Sequence, residues 1–284
     1  MTTMLHELLT LLRLERVGES RFLGQSQDLG WGAVFGGQVL GQGLSAAAQT
    51  VPEGRIVHSL HGYFLRQGDA SRPIIYTVDP IRDGRTFTTR RVVAAQGDRP
   101  IFHLSASFQV EEAGFDHQDP MPHAVGPDGL RTEQELAKAV ADALPPGLAE
   151  RALADRAIEV RPVKPHNPLQ PDVRPPSRQV WHRAAGTLPD DPEVHRCLLA
   201  WASDSHFLTT SMQPHGVSWL TPGLQVASLD HAMWFHRPFR MDDWLLYDVW
   251  SPSASGARGL VRGSFYDRQG RLVATVLQEG LIRD

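Results

Sequence analysis

The sequence predicts an α+β protein of two similar halves, each a buried helix followed by a strongly curved antiparallel sheet that wraps it. Three observations point there. Two stretches of helical apolar spacing are each followed by strand-period alternation, a proline-dense segment separates them, and the two halves close on comparable hairpins.

In the first half Val39, Leu40, Gly43, Leu44, Ala46 and Ala47 recur at helical spacing; in the second, Val194, Cys197, Leu198, Trp201, Ala202, Ser205 and Leu208 fall on one stripe. Between Glu111 and Arg178 lie 11 of the 21 prolines. Proline suits neither a helix interior nor a central strand, so this density marks connecting chain, with a helix predicted around Thr132–Leu144. The expected division is an N-terminal unit over 1–115, a linker over 116–155 and a C-terminal unit over 156–284. The hairpin VVAAQGDRPIFHLSASFQ precedes SFYDRQGRLVATVLQEG by about 172 residues, each with a glycine-containing polar turn. An internal duplication follows. One helix wrapped by a curved antiparallel sheet is the hotdog architecture, so a double hotdog with two sheets is expected. Gly36, Gly37, Gly41 and Gly43 suit close approach of the sheet to the first helix. Gly41, Gly43 and Ala46 match a dinucleotide fingerprint only formally, because no parallel strand precedes them.

Charged residues are 21% of the 284 and the net charge is -4, which indicates neither a polybasic nucleic-acid surface nor an acidic disordered tail. The first 17 residues read as a short amphipathic helix, since Glu7, Arg13 and Glu15 interrupt the leucines. No apolar run reaches the roughly 18 residues a membrane span needs. With a single cysteine, Cys197, no internal disulfide forms, and a cytoplasmic location is expected.

The chemical signal is a small set of polar residues on faces assigned to the interior. In the last strand Leu272, Ala274, Val276, Gln278, Gly280 and Ile282 share one face, so Gln278 points where its neighbours are apolar. A buried amide left unpaired costs about 1 to 3 kcal/mol, so Gln278 needs protein, water or substrate partners. Asp204 lies at the edge of the second helical stripe, where a carboxylate in a semi-enclosed cleft can accept a proton from water or simply be solvated. Ser228 shares a strand face with Val226, and its hydroxyl can orient the same water or bond to backbone. No G-x-S-x-G elbow, H-E-x-x-H or Cys-x-x-Cys occurs, and His231 and His236 are spaced onto opposite faces. Neither a metal nor a cofactor is expected. Cys197 falls in the core stripe, as a small apolar residue.

The segments VFGGQVLGQGLSAAAQTVP, VHSLHGYFLRQGD, ADRAIEVRPV, HNPL, LAWASDSHFL, LDHAMWFHRPF, SASGARG and VATVLQEGLIR resemble, in this order, the acyl-CoA thioesterase II family of bacterial TesB enzymes and their peroxisomal relatives. The resemblance implies a double hotdog, hydrolysis of acyl-CoA to free acid and CoA, and a catalytic Asp, Ser or Thr, and Gln. At matching positions these are Asp204, Ser228 and Gln278; bacterial members commonly have Thr where Ser228 stands. The expected mechanism is direct attack by a water held among the three, with Gly36, Gly37 or Gln278 as oxyanion donors. Arg82, Arg85 and Arg258 are candidates for meeting the CoA phosphates. Further association into a homodimer or homotetramer is expected, with no nucleic-acid or membrane partner. Two other readings stay open: an acyl-CoA hydratase or dehydratase using His58 and His61, and a non-catalytic acyl-CoA sensor.

Overall fold

In the computed structural model, which describes every residue but Met1, Trp31, Pro145 and Asp284, the amphipathic start forms α1 (Thr3–Leu12). The Thr2 hydroxyl accepts the Leu5 amide at 3.3 Å, and Leu5, Leu8 and Leu12 are buried. The first half continues through β1 (Glu15–Gly18), β2 (Arg21–Gly24), α2 (Gly36–Ala48), β3 (Arg55–Phe64), β4 (Ile74–Asp83), β5 (Phe87–Gln96) and β6 (Arg99–Val110). After the connection, holding α3 (Glu133–Lys138) and α4 (Pro146–Leu153), come β7 (Ile158–Pro162), β8 (Ser177–Ala184) and α5 (Pro192–Ser203). A 3₁₀ segment (Leu208–His215) leads to β9 (Gln225–Ser228), β10 (Asp230–Phe235), β11 (Leu245–Ser255), β12 (Arg258–Asp267) and β13 (Leu272–Arg283).

The strand order repeats between halves. In the first it runs β2-β4-β5-β6-β3 with α2 inserted between β2 and β3; in the second, β8-β11-β12-β13-β10 with α5 inserted between β8 and β10. The hairpin turns correspond too, Gly97 and Gly270 each adopting positive φ, which glycine meets without steric cost. Two sheets are expected from the sequence, but among the described residues the strands form one antiparallel sheet of 13. The join is β3 with β10, paired from Asp230↔Tyr63 to Trp234↔Ser59. Each half otherwise ends there on an open edge, and the pairing satisfies both.

The glycines of α2 serve two neighbours. A Cβ on Gly37 would overlap the Trp201 carbonyl oxygen, and one on Gly41 would lie 2.9 Å from the Cys197 carbonyl oxygen, so these two let α2 and α5 approach backbone to backbone. Gly43 faces the sheet, 2.9 Å from Leu104, and Gly36 meets the Phe64 ring at the end of β3. The proline-rich chain lies along the second half: Gln118 Nε2 donates to Gly270 O at 2.8 Å and Trp181 Nε1 to Val125 O at 2.8 Å. Met121, Ala124 and Leu130 pack on buried Trp181, Trp244, Leu246 and Tyr266. The helix expected around Thr132–Leu144 is shorter, α3 with a 3₁₀ turn at Ala141–Ala143. Among the described residues no helix is long and apolar enough to cross a membrane.

Candidate active site

The second helical stripe does not continue to Leu208 as one helix. Regular α-helix stops at Ser203, Asp204 is its C-cap, and His206 takes φ +63° before the 3₁₀ segment begins. A non-glycine residue there needs outside support. Glu133 of α3 supplies it with a carboxylate 3.3 Å from His206 Nε2. The break turns Asp204 out of the helix flank and into a cavity.

That cavity, about 270 Å³, is walled by Ala33 to Gly36, Asp204, His206 to Thr209, Val226 to Ser228, and Gln278. Its size is at the lower end for small-molecule sites, and its walls are mostly apolar with a few convergent polar groups. The three residues flagged by their faces meet here. Ser228 Oγ donates to Asp204 Oδ1 at 3.3 Å, and Gln278 Nε2 donates to Ser228 Oγ at 2.8 Å. They come from a helix end, a short strand and the last long strand. Ser228 is opposite Gly280 in the β9–β13 register, which puts it diagonal to Gln278.

Gly36 opens α2 against the same carboxylate: a Cβ there would stand 2.5 Å from Asp204 Oδ2. The N-cap Phe35 offers no side-chain hydrogen bond, so the positive end of α2 meets the cavity without a side chain capping it. Gly37 turns instead towards Trp201.

The other candidates lie elsewhere. His58 is outside the cavity, its Nε2 2.8 Å from Ser107 Oγ and its ring edge-on to Phe87. His61 is exposed beside Trp234. Arg258 pairs with Glu279 at 2.9 Å, while the carbonyls of Arg82 and Arg85 accept bonds from Arg90 and Arg55. None of the three arginines lines the cavity. His231 and His236 do face opposite ways: His231 is buried and His236 meets Thr275 Oγ1 at 2.9 Å on the outer side. Among the described residues no group of three or more His, Cys, Asp or Glu is arranged to hold a metal. Cys197 is buried in the core, which pushes its thiol well above the ordinary range, as befits a packing residue.

Sequence reasoning takes His231 only as a metal partner of His236 and passes over Tyr247; His231 Nδ1 stands 2.5 Å from Gln278 Oε1, and the Tyr247 hydroxyl donates to Ser203 O at 2.9 Å. Burial lowers the His231 ring, outweighing the opposing influence of Asp204. The missed signal is alternation: His231 shares the inward face of β10 with Met233 and Phe235.

Known proteins match this chain along its length. The description "Acyl-CoA thioesterase N-terminal domain" fits residues 26–109 and "Acyl-CoA thioesterase" fits residues 148–281. The chain is 44% identical over 283 residues to acyl-CoA thioesterase 2 of Haemophilus influenzae, covering 100% of this chain and 99% of that one. It superposes on the crystal structure of the acyl-CoA thioesterase II TesB2 from Mycobacterium marinum with a TM-score of 0.76 at 41% identity, covering 96% and 95% of the two chains. A hot dog fold protein of unknown function from Alicyclobacillus acidocaldarius gives a TM-score of 0.76 at 18% identity, covering 96% and 97%, a likeness of fold alone. With a relative this similar from end to end, and with each half fitting its own family description, the chain belongs to the acyl-CoA thioesterase family.

Proposed function

We propose that this chain hydrolyses fatty acyl-CoA to free fatty acid and CoA by direct attack of water, on a double hotdog whose units span 1–115 and 156–284. The observation that carries the reading is the contact run Gln278–Ser228–Asp204, drawn from three separated elements to one cavity wall. Membership of the family supplies the substrate class, and the repeated strand order supports two fused units.

A water beside Asp204 gives a proton to the carboxylate while its oxygen attacks the thioester carbon. The carbon–sulfur bond then breaks as the tetrahedral intermediate collapses, and the proton held on Asp204 passes to the departing CoA sulfur. Positioning of the water and its proton acceptor supplies the rate: a placed base typically adds about 10²- to 10⁴-fold. Ser228 and Gln278 hold the Asp204 carboxylate in place. The uncapped start of α2 at Gly36 faces the negative charge that develops on the carbonyl oxygen. Val34, Phe35, Phe207, Leu208 and Val226 receive the acyl chain. The working unit is a homodimer or homotetramer, read by sedimentation.

Incubation with acyl-CoAs of graded chain length, following free thiol, tests the reaction. Stoichiometric release of thiol and free acid is expected. An altered acyl chain still bound to CoA would mean a hydratase or dehydratase instead, and binding without turnover a sensor.

A further inference from the structure

The buried polar groups continue past the three residues on the cavity wall. Gln278 is fully buried, with its Oε1 2.5 Å from His231 Nδ1. Across that ring, Nε2 stands 3.0 Å from Ser203 Oγ, which also lies 2.9 Å from Ala200 O. Ser203 directly precedes Asp204, and its carbonyl is held by Tyr247. Hydrogen bonds therefore leave Asp204 through Ser228, Gln278 and His231 and return to its own chain neighbour.

The carboxylate sets the direction of each bond from Asp204 as far as His231. An ionised carboxylate only accepts, so the Ser228 hydroxyl donates to Asp204 and has lone pairs left for Gln278. Gln278 must then present its nitrogen to Ser228 and its oxygen to His231. An amide oxygen only accepts, so His231 has its proton on Nδ1. The buried ring, lowered from its ordinary range, is neutral at pH 7, which leaves a lone pair on Nε2 that shares the single Ser203 hydroxyl proton with Ala200 O. The donors of His231, Gln278 and Ser228 thus point the same way, towards Asp204, and such chains polarise cooperatively.

We propose that His231 is a positioning residue for the hydrolysis: it holds Gln278 by the oxygen and so fixes which end of the amide faces Ser228 and the cavity. Without a donor at Nδ1 the amide can turn over. Its oxygen then competes with Asp204 for the single Ser228 proton, and the carboxylate loses its anchor. The role rests on the hydrolytic reading of Asp204, Ser228 and Gln278 given above.

Two isosteres separate the ring's nitrogens. In His231→Asn the amide nitrogen takes the place of Nδ1; in His231→Gln it reaches the place of Nε2. The Gln variant should lose about 10- to 100-fold in kcat with KM within about twofold, and the Asn variant should recover most of that loss. In a Gln278→Ala background, His231→Gln should lower the rate no further, because its effect runs through the amide. Equal losses in both isosteres, or a further full loss in that background, would overturn the proposal. Heteronuclear NMR of the ring nitrogens in the unaltered protein needs no variant to fold: the Nδ1–H tautomer is expected, and the Nε2–H tautomer contradicts it. If Gln278→Ala alone retains the full rate, the hydrolytic role of Gln278 falls and this inference with it. A normal loss in Gln278→Ala beside an undiminished His231→Gln removes only the role of His231.

Discussion

In the first half α2 buries Gln38 and Gln42, whereas in the second half β13 buries Gln278. Gln42 Nε2 donates to the carbonyls of Leu11 and Gln25 at 2.7 and 2.9 Å, and its oxygen accepts from the Tyr76 hydroxyl at 2.7 Å. Gln38 donates to Gln25 O and accepts from the Gln27 amide, both at 3.1 Å. These amides tie α2 to α1, to β4 and to the loop after β2, and their hydrogen bonds meet no ionised group. Gln278 instead belongs to a run that ends on a carboxylate beside open space. The contrast extends to the strands. About 172 residues before Gln278 stands Ala106, paired with Leu60, so the first half has hydrocarbon where the second has Gln278 and His231. A buried amide is therefore no mark of a site by itself; the mark is an anionic end facing a cavity.

Loss of rate without loss of fold in one half, and the reverse in the other, would sharpen that contrast. Asp204→Asn keeps an oxygen for Ser228 but removes the proton acceptor, so kcat for thiol release should fall about 10²- to 10⁴-fold. Retention of rate would dissolve the distinction between halves. Next in size are the neighbouring glycines. Gly37→Ala drives a methyl into the Trp201 carbonyl and must part α2 from α5, costing about 3 kcal/mol in urea unfolding. Gly36→Ala pushes instead on the Asp204 carboxylate and the Phe64 ring, so kcat should drop more than stability does. Smaller again is Gln42→Ala, which takes their acceptor from the buried Tyr76 hydroxyl and Gln38 amide for about 2 kcal/mol while leaving kcat within about threefold.

Much of this was legible in the residues. Gln278, Asp204 and Ser228 each stood out by face, and they meet in space because burial enforces the alternation that exposed them as anomalies. The repeated strand order is legible because hairpin turns and helical stripes are local. The single sheet was not: β3 and β10 are far apart in sequence, and each looks like an ordinary edge until the other is placed beside it. The neighbour of the helix glycines is not legible, because periodicity tells which face is crowded and not by what. Asp204 reads as a residue on a helix edge because the break at His206 sits against Glu133, from a linker whose packing leaves no periodic trace. His231 is harder to read because its inward direction shows only through the alternation with Met233 and Phe235.

That linker contact is the last difference between halves, since α2 runs unbroken while α5 stops beside a left-handed His206 that Glu133 holds. The Glu133 side chain is 18% exposed, with Arg178 3.8 Å away. Burial alone would raise its pKa, but His206, Arg178 and Arg156 outweigh that and hold the carboxyl at about 2 against an ordinary 4.5. A carboxylate depressed in the folded state stabilises the fold above its unfolded pKa and loses that contribution as pH falls towards the folded one. Discounted for solvent access and for a charge network that relaxes, the depression corresponds to about 1 to 2 kcal/mol. Glu133→Gln should therefore lower the unfolding free energy by that amount at pH 7, with the gap to the unaltered protein narrowing from about pH 4.5 downwards. A gap that stays constant down to pH 3 would mean that the ion pair contributes nothing, and that the break beside Asp204 is held by packing alone.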